Sequence, residues 1–388
     1  MNDTSFIVYM DNAATVRLKD KAYEAMDKYL KNLYANPGGA YAFGQEVKRD
    51  IATAREEISS TLNARPTELF FTSGGTESDN QAIRSLAELK GSGHIIVSSF
   101  EHHAVLNTCR YLERKGIRVS YVNPDPAGFI DPDAIFRLIG DDTILISVMT
   151  VNNELGTIQP VSEIGAAARK RGILFHTDAV AAYGHIPIDV ETMNIDILSA
   201  SAHKFGGPKG AGFLYVRENL KLPPLILGGS QERGRRAGTE NVPGIMGMAA
   251  AAGEACACME DNLKRRIELD SYFMERIGSG PFVINGPAGC CGREEGTKAR
   301  LPGHFNLTIP GANAEELVVE LGTEGICIST GAACTSRDDP VSHVLKAIGL
   351  KGRDLLSTVR ISMNEENTEE EIDTLLKGLN QYIREKDL

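Results

Sequence analysis

Short, almost wholly apolar runs recur between amphipathic stretches through the first two-thirds of this chain. That alternation constrains the fold more than any other feature. Residues 94–98, 143–148, 173–176, 195–199 and 212–216 read as buried strands. A strand that is apolar on successive residues is covered on both faces, which is the habit of parallel sheets. Between the runs lie helical patterns such as 161–171, with Val161, Ile164, Ala167 and Ala168 on one face. The pattern predicts an α/β fold with a mostly parallel sheet between layers of helices. Ligands of such sheets bind beyond the carboxyl ends of the strands, and nearly every polar motif here directly follows a strand.

A chain of 388 residues exceeds one ordinary domain. A long helical stretch over 242–272 leads into shorter strands at 304–308 and 358–362. A final helix over 368–384 opens on the capping signal Thr368-Glu369-Glu370-Glu371. Two unequal domains are expected: 16–260 as the larger, and 1–15 with 261–388 as a smaller α/β unit. The Gly-, Pro- and charge-rich stretch 286–303 reads as a surface loop. A net charge of −11 argues against nucleic acid or an anionic membrane as partner. Seven irregularly spaced cysteines suit reduced thiols, and no basic-then-apolar leader opens the chain, so a cytoplasmic location is expected. No metal site is expected either. Cys256 and Cys258 point apart on a helical stretch, and Cys290-Cys291 has no histidine nearby.

The chemistry centres on Ser201-Ala202-His203-Lys204-Phe205-Gly206-Gly207, one helix-and-strand unit after His176-Thr177-Asp178-Ala179. A lysine in a tight glycine-rich turn can hold pyridoxal 5'-phosphate as a Schiff base, while an upstream aspartate pairs with its ring nitrogen. A lone turn lysine is more often a surface residue, so its companions decide. Ser73-Gly74-Gly75-Thr76 joins a strand to a helix start and suits a phosphate, to which Ser201 and His203 could also donate. His102, after another strand, could stack on a ring and shuttle protons, or face solvent in a loop. Asn153 could reach a ring oxygen or a substrate carboxylate, or sit in an ordinary turn. Cys334 lies in a small, polar run that would leave a thiol accessible as a nucleophile. Cys327, on an apolar run, reads as a core thiol. Arg360 on a strand needs an anion, either a substrate carboxylate or a structural ion pair.

Taken together, these motifs resemble the NifS/IscS-like cysteine desulfurases, fold-type-I enzymes of the class-V aminotransferase kind. The likeness runs nearly end to end. It includes Tyr9-Met10-Asp11-Asn12-Ala13-Ala14-Thr15, Thr72-Ser73-Gly74-Gly75-Thr76-Glu77-Ser78-Asp79-Asn80, Glu101-His102-His103, Val151-Asn152-Asn153-Glu154 and His176-Thr177-Asp178-Ala179. It continues through Ser201-Ala202-His203-Lys204, Arg236-Ala237-Gly238-Thr239-Glu240-Asn241, Ala333-Cys334-Thr335-Ser336 and Arg360-Ile361-Ser362. The resemblance implies a large domain with a mostly parallel seven-stranded sheet and a smaller C-terminal α/β domain. It also implies the conversion of L-cysteine to L-alanine, with a persulfide left on Cys334.

In that likeness Lys204 binds the cofactor and removes the substrate α-proton. Asp178 holds the ring nitrogen, and His102 stacks on the ring. Gly75, Thr76, Ser201 and His203 hold the phosphate. Thr239 reaches the phosphate of a neighbouring subunit, which implies a homodimer with shared sites. Asn36, Asn153 and Arg360 hold the substrate. The persulfide sulfur would pass to an acceptor protein, an iron–sulfur scaffold or a thiolation partner. The chain departs from the family at Ala181, where glutamine is usual, and at Tyr41, where histidine is usual. Two alternatives follow: a divergent selenocysteine, cystine or cysteine-sulfinate lyase on the same cofactor, or a sulfur-carrier scaffold that has lost turnover.

Overall fold

A computed structural model of the chain describes residues 7–278, 280–291, 298–330 and 341–387. Thirteen strands are assigned among the described residues. They begin with β1 (Val8–Tyr9), β2 (Leu69–Thr72), β3 (His94–Ser98), β4 (Arg118–Val122) and β5 (Thr143–Ser147). Next come β6 (Leu174–Asp178), β7 (Ile197–Ser201) and β8 (Gly212–Val216). The last are β9 (Val283–Ile284), β10 (His304–Thr308), β11 (Ile326–Cys327), β12 (Ser329–Thr330) and β13 (Thr358–Ser362).

Seven strands form the main sheet in the order β2-β8-β7-β6-β5-β3-β4. The five from β7 to β4 run parallel, while β8 is antiparallel to both β7 and β2. Successive residues feed opposite cores, as the two-residue period of a strand requires. Ile96, Ile146, Leu198 and Phe213 enter one cluster. Ile95, Leu145, Ile197 and Leu214 enter the other. This double burial explains the unbroken apolar runs of the sequence. Edge strand β4 was not among the predicted strands. Its Arg118 and Tyr121 are exposed, so it shows no apolar run.

A second sheet has the order β12-β13-β10-β9 and is antiparallel throughout. Its core joins Phe305, Leu307, Val359 and Ile361 to Leu269 and Phe273, to Leu317, and to Leu375 and Leu379 from the helices Met259–Ile277, Ala314–Thr323 and Glu369–Glu385. Val8 and Met10 at the start of the chain belong to this core as well, and β1 pairs in parallel with β11. The final helix is capped as expected: Thr368 accepts from the Glu371 N–H, and Glu371 accepts in return from Thr368.

Two expectations need correction. The predicted helix over 242–272 is two helices, Val242–Ala257 and Met259–Ile277, bent by 68°. The first is buried in the main core and the second turns Leu269, Phe273 and Ile277 to the second, so packing places the break. The predicted surface loop over 286–303 dives inward at its end. Arg300 is fully buried, its guanidinium gripped by both oxygens of buried Asp270 at 2.5 and 3.2 Å. Cys327 is only partly buried in β11. No single described helix is long and apolar enough to cross a membrane.

Candidate active site

The parallel strands deliver their carboxyl ends to one place. There, Ser73–Thr76 follows β2, His102 follows β3, Met149 and Asn153 follow β5, Asp178 ends β6, and Ser201–Lys204 closes β7. Together with Ala13, Ala14 and Thr15, and with Arg360 from β13, they line a cavity of about 600 Å³. His304 at the head of β10 fixes this junction by donating Nε2 to the Glu154 carbonyl at 3.1 Å.

Lys204 sits in a single helical turn, Ala202–Lys204, too short to be stable alone and tied down by the Ala202–Ala211 pairing. Its Nζ donates to the carbonyls of Ala13 and Ala14, the latter at 2.9 Å. Asp178 is buried, with Oδ1 accepting the Val180 N–H at 2.8 Å. His102 caps the helix His103–Glu113, and its Nδ1 accepts the Ala104 N–H at 3.1 Å, which leaves the ring proton on Nε2. Burial, helped by the charge of Lys204, pushes the His102 imidazole down to about 4, so it is neutral near pH 7. Burial and Lys204 likewise hold His203 at about 4, and its Nδ1 meets Thr15 Oγ1 at 3.2 Å.

One end of the cavity suits a phosphate. Gly74 has φ of +148°, a conformation that favours glycine. At Gly75 a Cβ would come 2.5 Å from Val180 Cγ2, so only glycine leaves the backbone open there. Glu77 braces this turn by accepting the Ser73 N–H at 2.8 Å and Arg236 Nε at 2.9 Å. Continuous helical structure begins at Gly75 and runs through a π-helical turn to Lys90, so its amino end faces the cavity.

Arg360 marks the other end. It is 4% exposed. Its Nη2 donates to Asp11 Oδ1 at 2.7 Å and its Nη1 to the Asn153 carbonyl at 3.0 Å, while Nε has no partner among the described residues. Both sequence readings of this arginine therefore have a basis: it forms an internal ion pair and keeps one unspent donor beside the cavity. An amine, a buried acid, an open glycine turn at a helix start and a buried cation surround one space. That donor set fits pyridoxal phosphate carrying an amino acid.

Of the predicted residues, the cavity brings together Gly75, Thr76, His102, Asn153, Asp178, Ser201, His203, Lys204 and Arg360. Asn36 is exposed, with Oδ1 accepting the Gly38 N–H at 2.8 Å, and is not in the lining. Thr239 is exposed and outside the lining too. Cys334 lies outside the described residues. Ala181 lines the cavity, whereas Tyr41 is exposed. Among the described residues, no group of three metal-ligating side chains converges. Sequence reasoning assigned no role to Asp11, Asp79 or the Ala13 and Ala14 carbonyls. Asp11 and Asp79 lay inside quoted motifs, but a single acid carries no signal of what it faces.

The family model for class-V aminotransferases matches residues 8–375. The chain is 44% identical over 381 residues to a protein named cysteine desulfurase IscS from Methanosarcina thermophila, covering 97% of this chain and 92% of that one. It is 42% identical over 381 residues to a protein of the same name from Dictyoglomus turgidum, covering 97% and 94%. Among solved structures, a NifS-like protein superposes with a TM-score of 0.89 at 37% identity, covering 98% of this chain and 100% of that one. A structure described as SspA in complex with cysteine reaches 0.79 at 37% identity, covering 93% and 99%.

Proposed function

Because the chain belongs to the class-V aminotransferase family and is a cysteine desulfurase that uses pyridoxal phosphate, we propose a division of labour among its own residues. The observation that carries it is the convergence of Lys204, Asp178, His102 and Arg360 on one cavity. When bound, pyridoxal phosphate supplies an electron sink for charge developing at the substrate α-carbon.

Lys204 Nζ would hold the cofactor and would serve as the base that takes the substrate α-proton. The Ala13 and Ala14 carbonyls give that amine a place to rest. The Asp178 carboxylate holds the ring N–H. His102, neutral and protonated on Nε2, covers the ring and passes protons at that atom. Gly75, Thr76, Ser201 and His203 bind the phosphate, with Thr239 serving a second subunit in a homodimer. Arg360 and Asn153 orient the substrate carboxylate, with Asn36 nearby. The Cys334 thiolate attacks the substrate sulfur: the S–S bond forms, the C–S bond breaks and its electron pair stays with the carbon fragment that becomes alanine. The persulfide then passes to an acceptor protein. We take 16–260 against 1–15 with 261–388 as the working domain division. A second core drawing Val8 and Met10 together with Leu269 through Ile383 supports it, although Leu301, Val344, Leu345 and Ile348 pack on the main core.

The test is the pure protein with L-cysteine and a thiol reductant. Equal yields of alanine and sulfide, lost in Lys204→Ala along with the cofactor's visible absorbance, support the assignment. Unequal yields count against it.

A further inference from the structure

Two buried carboxyls meet on the floor of the cavity, and the roles above use only one. Asp79, on the helix Gly75–Asn80, is 1% exposed, and Asp178 is 4% exposed. Both line the cavity, and their side chains lie within hydrogen-bonding range of each other.

The other ionisable groups facing Asp79 are His176 from β6 and Glu101 after β3. His176 offers no cation. Its Nδ1 pairs with Ser147 Oγ at 2.8 Å and its Nε2 with Ser199 Oγ at 3.1 Å, and burial pushes it down to about 3. Its Nε2 stands 3.6 Å from Asp79 Oδ1, an oxygen without a hydrogen-bond partner among the described residues. Glu101, also buried, is itself raised to about 8 by desolvation and offers Asp79 no cation. Asp79 has the neutral Ser199 side chain as a partner, whereas Asp178 is better served, with the Val180 N–H on Oδ1 and the charge of Lys204 nearby. Two carboxylates in dry contact cannot both ionise. The proton belongs on the acid with the poorer partners, where a neutral group also lowers the cost of an unpaired oxygen. Burial, and then the charge of Asp178, raise the Asp79 carboxyl well above its ordinary value.

We propose that Asp79 is a positioning residue that keeps its proton at neutral pH and donates it as a hydrogen bond to the Asp178 carboxylate. The floor then presents one negative charge to a cationic ring nitrogen. This deepens the proposed function, since it rests on Asp178 pairing with that nitrogen. Without the donor, Asp178 becomes more basic and draws the ring proton toward itself. The ring withdraws fewer electrons, and the imine nitrogen at Lys204 becomes more basic.

The experiment compares wild type, Asp79→Asn, which keeps a donor that cannot titrate, and Asp79→Leu, which keeps only bulk. In the holoprotein, the pH midpoint of the cofactor's visible absorbance should stay at the wild-type value in Asp79→Asn. It should rise by about one unit, a tenfold change, in Asp79→Leu. Infrared spectra of the cofactor-free protein at neutral pH should show the carbonyl stretch of a neutral carboxylic acid that Asp79→Asn lacks. This readout still decides if Asp79→Leu does not fold. A wild-type spectrum with no neutral-acid stretch beyond those that Asp79→Asn keeps, Glu101 among them, overturns the proposal, and so does a midpoint that moves equally in both variants or in neither. Failure of wild type to take up cofactor would strike the functional reading instead, while the infrared band would still report on Asp79.

Discussion

Replacing Arg360 by lysine separates its two tasks. The guanidinium spends Nη2 on Asp11 at 2.7 Å and Nη1 on the Asn153 carbonyl at 3.0 Å, with Nε left over for a ligand. A lysine ammonium concentrates its donors at one point and cannot span three acceptors on different sides. It can still neutralise Asp11, so the fold should survive with a small loss in melting temperature. The lost contact is a hydrogen bond between a cation and the substrate carboxylate, a class of interaction that contributes roughly 1.5–3 kcal/mol. At about 1.4 kcal/mol per factor of ten, kcat/KM for L-cysteine should fall by roughly 10- to 150-fold. Most of the loss should appear in KM, because the carboxylate is held before and during reaction alike. The assay is sulfide release against cysteine concentration, with cofactor absorbance as control. A kcat/KM within about threefold of wild type, at normal cofactor content, would refute the carboxylate role and leave Arg360 as a structural partner of Asp11.

Three further outcomes follow. Gly75→Ala puts a Cβ 2.5 Å from Val180 Cγ2, and Val180 in turn holds Asp178, so cofactor affinity measured by absorbance titration should drop at least about tenfold through overpacking; unchanged affinity would show that the turn is not the phosphate cradle. Buried Glu101, raised to about 8 by desolvation, binds a proton in the fold that the unfolded chain releases above about 4.5, so its contribution to cofactor-free stability should fall as pH rises through that window. Thermal melts of Glu101→Gln should lack that component of the slope, and an identical slope would place the charge elsewhere. Cys334→Ser should keep the bound cofactor's colour and lose sulfide release from cysteine; a panel with selenocysteine and cystine would reveal a lyase that needs no thiol if turnover of those substrates persists.

What the sequence reveals depends on how local its cause is. Strands β3 and β8 occupy the residues expected of them because a strand buried on both faces writes its burial into consecutive apolar residues. Strands β10 and β13 do so because Phe305, Leu307, Val359 and Ile361 alternate with polar residues. Strand β4 is an edge and writes no such run. The break at Cys258 has no glycine or proline to announce it; it exists because two cores claim the two helices. Arg300 reads as surface by its charge, yet Asp270 makes its burial affordable. At the site, Lys204, Asp178 and His102 could be read as chemistry because each ends or follows a strand whose carboxyl end must face the ligand. Asp79 sits in the first turns of a helix, and Asp11 just after a two-residue strand. Their meaning comes from what faces them across the fold: Asp178 in one case, Arg360 in the other.

The account depends most on the amine of Lys204 and the carboxylate of Asp178 acting on one cofactor. The direct measurement is the visible spectrum of protein reconstituted with pyridoxal phosphate and then treated with borohydride, followed by peptide mass analysis. The account predicts reductive attachment at Lys204, with uptake sharply weakened in Asp178→Ala. Attachment at another lysine, or full-strength uptake without Asp178, would contradict it.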